Sequence, residues 1–261
     1  MYNIISVCKD KSLREYFIKY CLKNRIVHNI SSAKNILGKF IISNISTKPS
    51  DYILGPKIVQ FLDDLYPTKT ILYRADERCV MLRNILGELS FRPDSLVDIG
   101  CGDATITLSI ANIFNIPYDS LFGIDIFPPV STRIQTMHPD GIKDIPDKSI
   151  NLVVAFMSLH HIHNVYIVLD QVSRILTPGG IFFVREHDCG RNNKTLKRFL
   201  YSIHSIINSS RSAHFPWDCG AYKSKINWIS TIELCGFRFV HEYVYPEKNP
   251  QKIINLTFRK I

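Results

Sequence analysis

The strongest chemical signal in the chain is a glycine loop followed by an acid. Residues 96–103 read Leu-Val-Asp-Ile-Gly-Cys-Gly-Asp, an apolar strand that stops at Gly100 and Gly102 before a helix begins. In an open α/β sheet such a turn lies at the carboxyl ends of the strands, where ligands bind. Glycines let a ligand approach the backbone where a Cβ would clash. About 22 residues beyond Asp103 the run Gly123-Ile124-Asp125 ends the next strand in an acid, placed to accept hydrogen bonds from the two hydroxyls of a ribose. A dinucleotide loop would carry a third glycine where Thr105 stands. Asp103 beside the loop would repel a pyrophosphate and suits a cationic ligand instead.

A second group follows two other strands. Arg185-Glu186-His187-Asp188 comes directly after the apolar run 181–184. Burying four ionisable groups costs several kcal/mol unless they are paired or meet a ligand. Alternation puts Arg185 and His187 on one face, Glu186 and Asp188 on the other. A base titrating near neutral pH would be His187 or Glu186, with Arg185 beside them. His160, His161 and His163 follow the apolar run 150–156 and read as structural or ligand-side groups. No metal site is expected. His187, Asp188 and Cys189 are neighbours in a strand and point apart, and none of the seven cysteines forms a Cys-x-x-Cys pair.

These residues need a frame. The first 45 residues carry helical spacing, as in Leu13, Phe17 and Cys21, and further helices are expected over 57–65 and 75–89, with Gly55-Pro56 as punctuation. After Pro93 the texture changes. Strands are expected at 95–99, 121–125, 150–156, 181–184, 237–245 and 253–259, with helices at 104–114, 165–176, 194–208 and 228–234. Alternating strands and helices make a parallel α/β sheet. The last two strands, joined by a short loop, give it an antiparallel edge.

Composition agrees with a folded chain of 261 residues, 46% hydrophobic and 21% charged. No stretch approaches a membrane span, and the N-terminal ten residues lack the basic start and long apolar run of a signal peptide. Unpatterned cysteines fit a reducing, cytoplasmic setting. The net charge of +9 is unevenly placed: +7 over residues 1–75, −6 over 76–189 and +8 over 190–261.

The motifs together resemble class I S-adenosylmethionine-dependent methyltransferases, nearest the broad type 11 group. Asp98-Ile-Gly-Cys-Gly-Asp103 is similar to their first motif, and Asp125 to their ribose-binding acid. Asp144 to Val153 resembles the entry to the fourth strand, Leu159-His-His-Ile162 the segment after it, Leu176 to Val184 the turn into the fifth, and Cys235-Gly-Phe237 the turn into the penultimate strand. The resemblance covers about 94–261. It implies a Rossmann-like, seven-stranded, mostly parallel sheet with an antiparallel last strand, plus a helical N-terminal extension. The methyltransferase domain would span 76–261, with a basic insertion at 190–225, and the extension 1–75. It implies S-adenosyl-L-methionine as cofactor. Asp98, Gly100, Cys101 and Gly102 would shape the methionine pocket, Asp125 would take the ribose, and Ile126 would lie on the adenine. The adenine-amino acid maps to Asp140, or to Asp144. Phe156 and Met157 would lie under the donor methyl, and Arg74 could reach the cofactor carboxylate. The Lys-Asp-Lys-Glu tetrad of one ribose 2′-O-methyltransferase group has no counterpart, since 157–160 read Met-Ser-Leu-His.

The basic flanks, 1–75 and 190–261, suggest an anionic acceptor. In the insertion, Lys194, Lys197, Arg198 and Arg211 alternate with Tyr201, His214, Phe215, Trp217 and Tyr222, and the N-terminal segment adds Lys19, Lys23 and Arg25. Cations for phosphates and rings for bases suit RNA. The expected acceptor is RNA, cap-related RNA included. The alternatives are a small molecule, a protein side chain, or an inactive binding subunit of the same fold. The Lys-, Ile- and Asn-rich texture resembles proteins of large DNA viruses, which would place the chain in a host cytoplasm or a virion.

Overall fold

The computed structural model describes residues 4–23, 25–46, 51–66, 72–126, 134–210, 222–244 and 251–261. In chain order come α1 (Ile4–Lys9), α2 (Lys11–Lys23), α3 (Ile30–Ile45), α4 (Asp51–Leu65) and α5 (Leu72–Glu88). Then come β1 (Leu96–Ile99), α6 (Thr105–Phe114), β2 (Leu121–Ile124), β3 (Gln135–Met137), β4 (Ile150–Phe156), α7 (Val165–Ile175) and β5 (Leu176–His187). The chain ends with α8 (Lys194–Ser210), α9 (Lys225–Glu233), β6 (Phe237–Tyr243) and β7 (Ile253–Lys260). None of the described helices is long and apolar enough to cross a membrane.

The chain forms two compact units. One is all-helical and combines residues 1–70 with 192–217. Its core gathers Phe17 and Leu22 of α2, Leu37 and Ile41 of α3, Leu54 and Ile58 of α4, and Phe199 and Leu200 of α8, all at most 2% exposed. Phe40 stacks on Phe61, and Tyr16 meets Phe199 edge-on. The first 45 residues are helical as expected but broken into three pieces. Asp10 accepts from the N–H groups of Ser12 and Leu13 and so starts α2. Asn29 caps α3 through the N–H of Ser32. Gly55-Pro56, read as punctuation, lies inside α4. Pro56 is the sixth residue of that helix, so the hydrogen bond it forfeits belongs to an end turn rather than the middle.

The other unit, residues 71–191 and 218–261, holds a seven-stranded sheet in the order β3-β2-β1-β4-β5-β7-β6. Five strands run parallel from β3 to β5, and β7 pairs antiparallel with both β5 and β6. The expected fold class is therefore the observed one. One face of the sheet packs Val97, Val153 and Val184 against α7 and α9 through Leu169, Val172 and Trp228. The other packs Leu96, Val154 and Phe183 against α5 and α6 through Leu82, Ile85 and Ile110. Two differences from the expected elements matter. β3 has only three residues, too few for a visible period. β5 begins at Leu176 because Thr177 to Gly180 continue the strand instead of ending a loop.

Candidate functional site

The parallel strands β1, β2, β4 and β5 all end on one side, and their carboxyl ends carry most of the expected site. At the end of β1 the loop is stitched to its neighbour: the N–H groups of Gly100 and Cys101 donate to the Ile124 carbonyl at 2.7 and 3.3 Å. Gly100 has φ +78°, and a Cβ there would lie 2.4 Å from the Ser158 Cβ. Ser158 in turn donates its hydroxyl to the Ile99 carbonyl at 2.6 Å. Gly100 is thus a packing requirement between β1 and the turn after β4. Gly102 differs. It also has a positive φ, +57°, but no described atom lies within 4 Å of where its Cβ would be. Its N–H donates to Asp125 Oδ2 at 2.8 Å, which ties the acid at the end of β2 to the glycine loop.

Asp98 is buried on the α6 side of β1, where the Thr107 hydroxyl donates to Oδ2 at 2.6 Å. Its Oδ1 is buried and has no hydrogen-bond partner among the described residues. Burial pushes the carboxyl up to about 6, against the pull of the Thr107 hydrogen bond and the Arg78 charge, and Asp125 pushes the same way as burial. The same setting holds Cys101 as a thiol: burial and the nearby Asp98 and Asp125 charges push it up to about 12. Phe156, at the end of β4, packs on Phe183 with ring centroids 5.3 Å apart, and the Arg78 guanidinium lies 5.5 Å from the Phe156 centroid. Met157 follows with φ +61°, a left-handed conformation that an unbranched non-glycine residue holds at a cost of about 1–2 kcal/mol. Its N–H donates to the Arg185 carbonyl at 2.8 Å.

Ile126 is 57% exposed, an apolar side chain open to a partner beside Asp125. Asp140 is exposed on the short turn after β3, and its backbone N–H approaches His138 Nδ1 at 3.4 Å. Asp144 closes that turn and is exposed as well. β3 itself is joined to the site by the Asp125 N–H, which donates to the Met137 carbonyl at 3.1 Å. Arg74 lies on α5, and its side chain falls outside the described residues.

The Arg-Glu-His-Asp run emerges from β5 almost fully buried, and each member has a structural partner. Arg185 donates to Asn255 Oδ1 on β7 at 3.0 Å. Glu186 accepts from His160 twice, from the backbone N–H at 3.2 Å and at Nδ1 at 2.7 Å, and from the His187 N–H at 3.3 Å. Burial pushes Glu186 up to about 7, opposed by the His187 charge and these N–H groups. His187 Nδ1 meets the Gln251 carbonyl at 2.8 Å, and Asp188 accepts from the first N–H of α9. Tyr222 stacks on His160 with centroids 5.1 Å apart and is itself buried. Of the insertion's basic and aromatic residues, Tyr222 therefore stacks inside the protein and Lys225 pairs with Glu242. Arg211, His214, Phe215 and Trp217 fall outside the described residues.

Three residues of this site carry no mark in the motifs: Arg78, Thr107 and Ser158. Thr107 was detectable, since it shares the apolar stripe of α6 with Ile110 and Ala111 and a polar residue on a buried stripe needs a partner. Arg78 sits likewise one turn from Ala75 and Leu82 on α5. Nothing in the sequence distinguishes Ser158.

A family model described as a methyltransferase domain matches residues 72–235. The chain belongs to that family. Among solved structures, this methyltransferase domain is similar to a 1,6-didemethyltoxoflavin-N1-methyltransferase from Burkholderia thailandensis, solved with its substrate and S-adenosylhomocysteine. Identity is 14%, coverage 71% of this chain and 77% of that one, and the TM-score 0.50. It is also similar to a protein from Galdieria sulphuraria assigned as a sarcosine dimethylglycine methyltransferase, with 13% identity, 72% and 86% coverage and a TM-score of 0.50. At this identity both matches speak for the fold alone. No curated protein matches the sequence. The family's cofactor is S-adenosyl-L-methionine, and the loop of this methyltransferase fits it. A buried carboxylate with one unpartnered oxygen suits a cationic group, and the open space at Gly102 admits a ligand to the backbone.

Proposed function

We propose that the chain is an active S-adenosylmethionine-dependent methyltransferase whose acceptor is RNA, cap-related RNA included. The observation that carries the acceptor is the segregation of charge. The helical unit, residues 1–70 and 192–217, holds 15 Lys and Arg against 5 Asp and Glu, whereas the rest of the chain holds 17 against 18. Nearly all the positive charge of the protein belongs to one unit, as a surface for a polyanion would require. An origin in a large DNA virus belongs to the same reading and rests on composition.

S-adenosylmethionine, when bound, supplies a methyl group on a sulfonium sulfur. In this reading Asp125, held by Gly102, takes the ribose hydroxyls, and Asp98 faces the cationic methionine end. Ile126 covers the adenine, with Asp140 near its amino group, and Phe156 and Met157 floor the site. Methyl transfer is an in-line displacement, so alignment supplies most of the catalysis. Glu186 is buried under the His160 turn, and it contributes by fixing that turn beside Met157 and Ser158 rather than by meeting the acceptor.

Asp125→Ala is expected to lower S-adenosylmethionine affinity at least tenfold by calorimetry and to abolish transfer of radiolabelled methyl. With the wild-type enzyme, label is expected in RNA from a panel of RNA, protein and small-molecule acceptors. Label confined to protein or small molecules would reject the RNA reading, and a folded enzyme that binds no S-adenosylmethionine would reject the cofactor reading.

A further inference from the structure

At the junction of α2 and α3 the helical unit contains an open cavity of about 410 Å³, and it lies wholly within that unit. Its wall carries four cations, Lys19, Lys23, Arg25 and Lys34, together with the apolar side chains of Leu22, Ile26, Val27 and Ile30, and no carboxylate. Arg25 is anchored from behind by an ion pair with Asp63 and donates to the Tyr66 carbonyl at 3.2 Å. Lys19 and Lys23 are exposed and Lys34 is half-buried. Ile26 and Ile30 stand 47% and 46% exposed beside them.

Four like charges converging on one concavity repel each other, and apolar walls strengthen that repulsion by excluding water. The arrangement is relieved by an anion. The two isoleucines add a condition, because a bare phosphate gains nothing from them and a ligand with a flat apolar face beside its phosphate does. A nucleotide of a single-stranded nucleic acid meets both conditions. The volume lies in the range of sites that enclose small ligands.

We propose that this cavity holds a nucleotide of a single-stranded RNA, its phosphate among Lys19, Lys23, Arg25 and Lys34 and its base against Ile26 and Ile30. The inference deepens the RNA-acceptor reading by assigning a gripping site to the helical unit, and it can fail separately from it.

The test uses the full-length protein and a fluorescein-labelled eight-nucleotide adenylate RNA, followed by anisotropy over a salt series. The triple variant Lys19→Ala/Lys23→Ala/Lys34→Ala is compared with Lys9→Ala/Lys39→Ala/Lys57→Ala, which removes the same charge from exposed positions elsewhere on the unit. The cavity variant is expected to bind at least tenfold more weakly than wild type. Its plot of log affinity against log salt should be shallower by about 2, the value for three lost phosphate contacts on a single strand. The control variant should lose less than threefold, and replacing the three cavity lysines by arginine should restore affinity. Equal losses in the two alanine variants would overturn the site, as would wild-type affinity in the cavity variant. If RNA is methylated but the cavity variant binds it normally, the site fails and the acceptor reading stands. If RNA binds through the cavity but accepts no methyl, the site stands and the acceptor reading fails.

Discussion

Asp98 shows how one side chain couples stability to ligand chemistry. Its carboxyl is pushed up to about 6 in the folded protein from an ordinary value of 3.8. A raised acid favours the folded state while it is neutral. That contribution is fully present below about 3.8 and is lost as pH rises through about 6. Above pH 6 the fold carries a buried charge that a cation would compensate. Asp98→Asn is therefore expected to raise the Tm at pH 8 by several degrees, as checked by calorimetric scans, since it removes that charge and keeps an acceptor for Thr107. The same change should weaken S-adenosylmethionine about tenfold at pH 8 and much less at pH 5, where the wild-type carboxyl is already protonated. Equal weakening at both pH values would remove Asp98 from the cofactor site. Asp98 and Asp125 were legible in the sequence because both are acids at strand ends. Glu186 was legible only as an ionisable group in an unfavourable place. Its partner His160 lies 26 residues away, and no local pattern reports so distant a hydrogen bond.

At the scale of elements, the two glycines of one loop answer to different forces. Gly100 lacks a Cβ because the turn after β4 occupies the space, whereas Gly102 lacks one beside open space. Gly100→Ala combines a left-handed backbone with a steric clash and should destabilise the protein by about 2–4 kcal/mol in urea unfolding. Gly102→Ala meets only the backbone cost, about 1 kcal/mol, yet should lower S-adenosylmethionine affinity more than tenfold. A Gly102→Ala protein that binds normally would mean the open space is not part of the cofactor site. The elements most easily read from sequence were long and periodic, such as β4, or bracketed by glycines, such as β1. β3 was invisible because three residues cannot show alternation. The start of β5 was misplaced because Thr-Pro-Gly-Gly has the composition of a turn, and only pairing with β4 makes it strand.

At the scale of the molecule, the sequence showed a basic–acidic–basic chain, but not that α8 from the second basic stretch folds with the N-terminal helices. That assignment depends on side chains far apart in sequence, such as Tyr16 against Phe199 and the Ser6 carbonyl against Arg198. The sheet makes a similar long connection. β7, the last strand made, lies between β5 and β6 and is hydrogen-bonded to both. Deleting 253–261 should abolish the cooperative unfolding transition seen by circular dichroism, because β6 then has no neighbour and β5 exposes an apolar edge. The consequence reaches protein synthesis. While the ribosome is still adding residues before Ile253, β6 has no strand to join, and the buried run Phe182–Val184 has one bare flank. The sheet can close only when these last residues leave the exit tunnel, so its final folding step is timed by release of the chain.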